Sequence, residues 1–181
     1  MPLPDIEEVE AIQGVQLTSL TPHGDDRGRF IETFRKTWFP QREWDRVQMN
    51  MSYSKAGAIR GLHYHLHQVD YWMLIQGEIR VGLYDLRKSS PTSRTAHTID
   101  LRFEGFRGLF IPVGVAHGFS AKTDMVLSYL VDDYYDTTDE HGVAWDDPDI
   151  GIDWDVDITV KSERDTKNPR LRDIPLNLLP D

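Results

Sequence analysis

The stretch Arg60-Gly61-Leu62-His63-Tyr64-His65, running on through Asp70 to Gly77, decides how this chain is read. Its skeleton is His-x-His, four residues, an acid, six residues, then glycine. Side chains alternate across a strand with a period of two, so His63 and His65 fall on one face. A second string, Gly108-x3-Pro112-x-Gly114-x2-His117, follows downstream. Its glycines and Pro112 supply bends that bring His117 opposite the first two histidines. The surroundings are short runs rich in Val, Ile, Tyr, Phe and Trp between turn residues. They predict strands over Gly14–Leu20, Gly28–Phe34, Val47–Tyr53, Gly61–Tyr64, Tyr71–Leu86, Thr95–Leu101, Gly108–Ile111, His117–Ser120 and Met125–Asp132. Tyr71–Leu86 is long enough for two strands, with Gln76-Gly77-Glu78 as the turn. Only Arg35–Gln41 and Asp165–Leu179 suggest helix; Pro40 stops the first, and Pro169 and Pro175 interrupt the second.

The two strings resemble the paired half-motifs that cupin barrels carry on facing strands. The expected fold is all-β: a cupin-type β-barrel (jelly roll) with a few short peripheral helices, as one domain over residues 1–181. No linker, repeat or low-complexity segment divides the chain. The same residues permit metal chemistry, because His63, His65, Asp70 and His117 form a borderline ligand set for Zn, Fe, Ni or Mn. Barrel-lining histidines bonded to their neighbours are the plain alternative.

Composition narrows the classes further. The chain has 181 residues and no cysteine, which removes disulfides, thiolate metal sites and cysteine nucleophiles. A formal net charge of −10 argues against a nucleic-acid partner, which needs a basic surface. No run approaches the ~18 apolar residues of a membrane span. The first residues, MPLPDIEEVEAIQG, are acidic and lack the apolar core of a signal peptide, so a cytoplasmic location is expected.

Further strings stand in a telling order. Asp26-Arg27-Gly28-Arg29-Phe30-Ile31-Glu32 precedes Gln48-Met49-Asn50-Met51-Ser52; Ser89-Ser90-Pro91-Thr92 precedes Ile111-Pro112-Val113-Gly114-Val115-Ala116-His117-Gly118-Phe119. Tyr129, Trp145–Trp154 and Ser162-Glu163-Arg164-Asp165 complete the set. From about residue 12 to 172 the chain resembles the dTDP-4-dehydrorhamnose 3,5-epimerases, a branch of the cupins. The resemblance implies inversion at C3, C5 or both of a nucleotide-linked 4-keto-6-deoxyhexose, with no metal or organic cofactor and a homodimer that exchanges strands. It implies that His63 is the base, Asp165 its orienting acid, and Tyr129 the proton donor on the opposite face. It further implies that Arg27, Phe30 and Glu32 meet the nucleotide base from the partner subunit. Gln48, Asn50 and Arg60 would line the base and diphosphate site, with His65, Asp70 and His117 beside the sugar. Read alone, these residues have plainer alternatives: a packed Tyr129 with a capped hydroxyl, a helix N-cap at Asp165, and surface ion pairs for the arginines. A metal-dependent cupin enzyme or a non-catalytic sugar-nucleotide binder would use the same scaffold.

One position departs from the pattern. The resemblance puts a lysine seven residues before the hairpin glycine, near the sugar's C4 oxygen; this chain has Asp70. It also has His65 where glutamine is usual, and His67 besides. A carboxylate opposes an enolate where an ammonium would favour it. Asp70 would have to pair with His65 or His67, turn away from the sugar, or ligate a metal.

Overall fold

The computed structural model describes residues 3–181. Thirteen strands form in chain order: β1 (Asp5–Glu8), β2 (Gln16–Ser19), β3 (Pro22–Asp25), β4 (Gly28–Ile31), β5 (Gln48–Ser54), β6 (Ile59–Tyr64), β7 (Asp70–Gln76), β8 (Glu78–Asp85), β9 (Ala96–Arg102), β10 (Arg107–Ile111), β11 (Val115–Ala121), β12 (Met125–Val131) and β13 (His141–Gly142). Two antiparallel sheets face each other. One has the order β1-β2-β10-β7-β12-β5 and the other β13-β6-β11-β8-β9, while β3 and β4 form a separate hairpin. This is the jelly-roll barrel of the cupins, as expected. Strands β1, β3 and β13 are additions to that expectation.

Period-two patterning builds the barrel. Along β8, Ile79, Val81 and Leu83 turn inward and are fully buried. They meet Trp72 and Leu74 of β7, Leu109 of β10 and Leu127 of β12 from the opposing sheet. Burying such side chains contributes about 1.5–3 kcal/mol each. Each sheet also has a covered outer face. Trp38, Phe39 and Trp44 pack over Tyr71, Met73 and Phe110 on one side. Val143, Ile150, Trp154 and Ile174 pack over Leu62, Tyr64 and Tyr84 on the other.

Two glycines are needed for this shape. Gly77, at φ +85°, turns β7 into β8, in a conformation that side chains rarely adopt. Gly82 lies under the Trp154 ring, where a Cβ would come within 2.6 Å of Cη2.

Helix is sparse. The segment Asp165–Leu179 resolves into α1 (Glu163–Lys167) and 3-10 turns at Leu171–Asp173 and Leu176–Leu178. Pro169 and Pro175 separate them, since proline lacks the N–H that continues a helix. Arg35–Gln41 holds only a 3-10 turn, Lys36–Trp38. Among the described residues no helix is long and apolar enough to cross a membrane.

Candidate active site

Side chains that face each other across antiparallel strands point to the same side. Tyr129 of β12 pairs with Asn50 of β5 and Trp72 of β7, and Val131 pairs with Gln48 and Asp70. These two rows form one wall of a cavity of about 290 Å³ between the sheets. The other wall comes from β6 and β11, where His63 pairs with His117. His65 lies just past the end of β6 but still lines the cavity. Arg60 stands there too, held by Ser54 Oγ at 3.0 Å and the Tyr53 carbonyl at 3.2 Å.

His63 is oriented from below. Its Nε2 lies 2.7 Å from Asp165 Oδ1. Ionised carboxylate oxygens only accept, so Nε2 carries the hydrogen and Nδ1 the lone pair. Nδ1 has no protein partner among the described residues. Asp165 is buried at 4 % exposure, and burial pushes its carboxyl up. Hydrogen bonds from His63, Ser162 and the Gly61 backbone outweigh that and hold it below the ordinary carboxylate range. Ser162, not Asp165, is the N-cap of α1: its Oγ accepts from the Asp165 N–H at 3.0 Å and donates to Asp165 Oδ2 at 2.8 Å. The short helix thus serves to aim one carboxylate at one imidazole.

Tyr129 answers from the opposite wall. Its hydroxyl makes no hydrogen bond among the described residues, so it is not a capped core tyrosine. Burial, then the charges of Asp70 and Glu140, push its pKa up, which keeps it protonated and able to donate.

Asp70 neither turns away nor pairs with His67. It is buried and lines the cavity, taking bonds from Gln68 Nε2 at 3.1 Å and Trp72 Nε1 at 2.9 Å. Its oxygens lie 3.7 Å from His65 Nε2 and 3.8 Å from His117 Nε2. Burial pushes the His117 imidazole well below its ordinary pKa. Of the four possible ligands, His65, Asp70 and His117 gather, while His63 is committed to Asp165.

Three expected binding residues lie elsewhere. Arg27 pairs with Asp25 in the β3–β4 hairpin, Phe30 is 64 % exposed on it, and Glu32 pairs with Arg35. None reaches the cavity of its own chain. Conversely, the cavity includes Gln68, Tyr135, Glu140 and Arg164, which motif reading passed over. Arg164 donates to Glu140 at 2.8 Å. Asp139, also missed, accepts from the backbone N–H groups of Leu66, His67 and Gln68 and so shapes the loop between β6 and β7. Asp165 was found by its place after Ser162-Glu163-Arg164; Arg164 stood one residue before it.

An imidazole held by a carboxylate on one wall, with a protonated tyrosine on the other, has the parts needed to take a proton from one face of a carbon and return it to the other. On a cupin barrel this defines an isomerase of the sugar-epimerase class. The model of the dTDP-4-dehydrorhamnose 3,5-epimerase family matches residues 9–173, and the chain belongs to that family. A dTDP-4-dehydrorhamnose 3,5-epimerase of Methanothermobacter thermautotrophicus is 38 % identical over 176 residues, covering 93 % of this chain and 95 % of that one. The structure of a Legionella pneumophila dTDP-6-deoxy-D-glucose-3,5-epimerase, in complex with dTDP-4-keto-L-rhamnose, superposes with a TM-score of 0.89 at 31 % identity, covering 97 % of each chain. ChmJ, a 3'-monoepimerase from Streptomyces bikiniensis in complex with dTDP-quinovose, gives 0.86 at 32 % identity, covering 93 % of this chain and 90 % of that one. The chain is accordingly a nucleotide-sugar epimerase of deoxysugar biosynthesis.

Proposed function

We propose that this chain epimerises a dTDP-linked 4-keto-6-deoxyhexose with His63 as base and Tyr129 as acid. The observation that carries the reading is the Asp165-held imidazole on one wall facing a protonated tyrosine on the other. His63 Nδ1 takes the proton from the carbon next to the C4 ketone, and the resulting imidazolium is held by Asp165. The C–H electron pair moves into the enolate. The enolate carbon then takes the Tyr129 hydroxyl proton on the opposite face, which leaves the carbon inverted. Arg60, at the cavity and paired with no acid among the described residues, gives the diphosphate local positive charge despite the acidic chain.

A homodimer fits the outer surface. β5 is an edge strand of its sheet, and its outward row Met49, Met51 and Tyr53 is 64 %, 55 % and 70 % exposed. Apolar edges of this kind need cover. A second copy would supply it and bring its Arg27, Phe30 and Glu32 toward the neighbouring cavity.

The test is incubation with dTDP-4-keto-6-deoxyglucose in deuterated water, followed by NMR. Deuterium at C3 or C5 in the presence of the protein, lost in His63→Asn, supports the reading, and the labelled position tells whether one or both centres react. Absence of exchange at both carbons would sink it.

A further inference from the structure

Three acceptors face one another in the cavity wall with no donor among them. His65 Nδ1 lies 2.9 Å from the Asp139 carbonyl, and His117 Nδ1 lies 2.9 Å from the Val115 carbonyl. A carbonyl only accepts, so in both rings Nδ1 carries a hydrogen, and in the neutral form of each ring Nε2 presents a lone pair. Both Nε2 atoms turn toward Asp70, at 3.7 and 3.8 Å, which is beyond hydrogen-bond reach. The carboxylate is itself fixed by Gln68 and Trp72. All three residues are at most 5 % exposed. Two lone pairs and a carboxylate gathered on one patch of the cavity wall repel, unless a positive charge or a hydrogen-bond donor lies between them.

The outer contacts are those that metal ligands carry. Each imidazole donates its other nitrogen to a carbonyl, which fixes tautomer and ring orientation, and the carboxylate is hydrogen-bonded in turn. The candidate donor atoms lie within 4.8 Å of one another. Ligands at ~2.0–2.1 Å from a tetrahedral zinc stand roughly 3.3 Å apart, so side-chain rotation must close the 3.7 and 3.8 Å pairs by a few tenths of an ångström and the widest pair by roughly 1.5 Å.

We propose that His65, Asp70 and His117 bind one divalent first-row transition cation, of the Zn²⁺, Mn²⁺ or Fe²⁺ kind, in the wall of the catalytic cavity. Two imidazoles and one carboxylate suit such borderline ions and leave coordination positions open. His63 stands outside the gathered donor set, and its Nε2 is taken by Asp165. The site departs from the metal-free chemistry that the family resemblance implies. It also accounts for both exchanges together: the histidine at 65 supplies a ligand, and the acid at 70 supplies the charge that holds the ion. The ion then stands as the positive charge beside the sugar that an aspartate alone would remove. That last role rests on the epimerase reading; the binding site does not.

The experiment is a binding measurement. Protein stripped with a chelator is titrated calorimetrically with Zn²⁺, Mn²⁺ and, under anaerobic conditions, Fe²⁺, and retained metal is counted by mass spectrometry after desalting. About one equivalent per chain for at least one ion is expected, with a higher Tm for the loaded protein. Asp70→Asn, which keeps the side chain's shape, and His65→Gln should each weaken binding ~10-fold or more, while His63→Asn leaves it unchanged. Retention below about 0.1 equivalent for all three ions would overturn the proposal, as would binding unaffected by both variants. Deuterium exchange by a chain that binds no ion would defeat this inference and leave the epimerase standing. Stoichiometric binding without exchange would do the reverse.

Discussion

His63 Nε2 lies 2.7 Å from Asp165 Oδ1, a bond that joins β6 to the start of α1 across 102 residues of sequence. Asp165 fixes which nitrogen of His63 is basic and steadies the imidazolium. Asp165→Asn keeps the shape but can present an N–H to the ring, so the wrong tautomer is favoured. The exchange rate should fall ~10²–10⁴-fold, as it does on removing a general base, while nucleotide-sugar KM stays within a few-fold. Steady-state kinetics with matched calorimetric titrations of dTDP checks the split.

Tyr129→Phe separates the two halves of the reaction. The base is intact, so deuterium should still enter the sugar from the His63 face. Inverted product should fall ~10²-fold or more, because no donor remains on the opposite wall. NMR of the sugar ring distinguishes label without inversion from label with inversion.

Acid should destabilise the protein in a defined window. Asp165 has a folded pKa below its ordinary 3.8, so its contribution is fully present above that value and lost as pH falls through the lower one. Asp100, held by Arg80 and Lys122, is lowered to about 2 in the same sense, although its exposure weakens the effect. Tm should therefore fall first below about pH 6.5, where unfolding lets the depressed His117 take its proton, and again between about 4 and 2 as these carboxylates protonate. Asp165→Asn should flatten the second drop, measured by calorimetry across the range.

Gly82→Ala tests the packing of Trp154 on β8. The added methyl would come within 2.6 Å of the indole, so ring or strand must shift. A cost of about 1–3 kcal/mol follows. At ~2–4 °C per kcal/mol, Tm should fall by roughly 2–12 °C, read by scanning fluorimetry, with turnover retained below the transition.

Met51→Glu tests the dimer. A charge in the centre of the exposed β5 row should shift the protein toward monomer in light scattering. It should also weaken dTDP-sugar binding if the hairpin residues reach the neighbouring cavity. A monomeric wild type would sink the dimer proposal.

Much of the fold was legible because its strands obey a period of two against a buried face, as β8 does. Strands β1 and β3 were not, since Asp5–Glu8 and Pro22–Asp25 are almost wholly exposed and carry no apolar alternation. β13 is two residues long, too short for any pattern. In the site, the spacing of His63 and His65 and the position of Asp70 were visible directly, and Asp165 only by resemblance. Local spacing carries no information about a contact made across the whole barrel. Glu140, Arg164 and Asp139 escaped because loop residues have no periodicity, and a carboxylate that ties down three backbone N–H groups looks like any surface acid.

The loop between β6 and β7 has a further consequence. His65 and Asp70 bracket only four residues, and those four are tethered by acids from another part of the chain: Asp139 on Leu66, His67 and Gln68, and Asp132 on the Val69 N–H at 2.9 Å. The two cavity positions at which this chain departs from the family pattern therefore sit on one short, separately anchored cassette. His63, Asp165 and Tyr129, the proposed acid–base groups, stand outside it. Selection, or a protein engineer, can rewrite the cavity's electrostatics there while the barrel and its acid–base chemistry stay as they are.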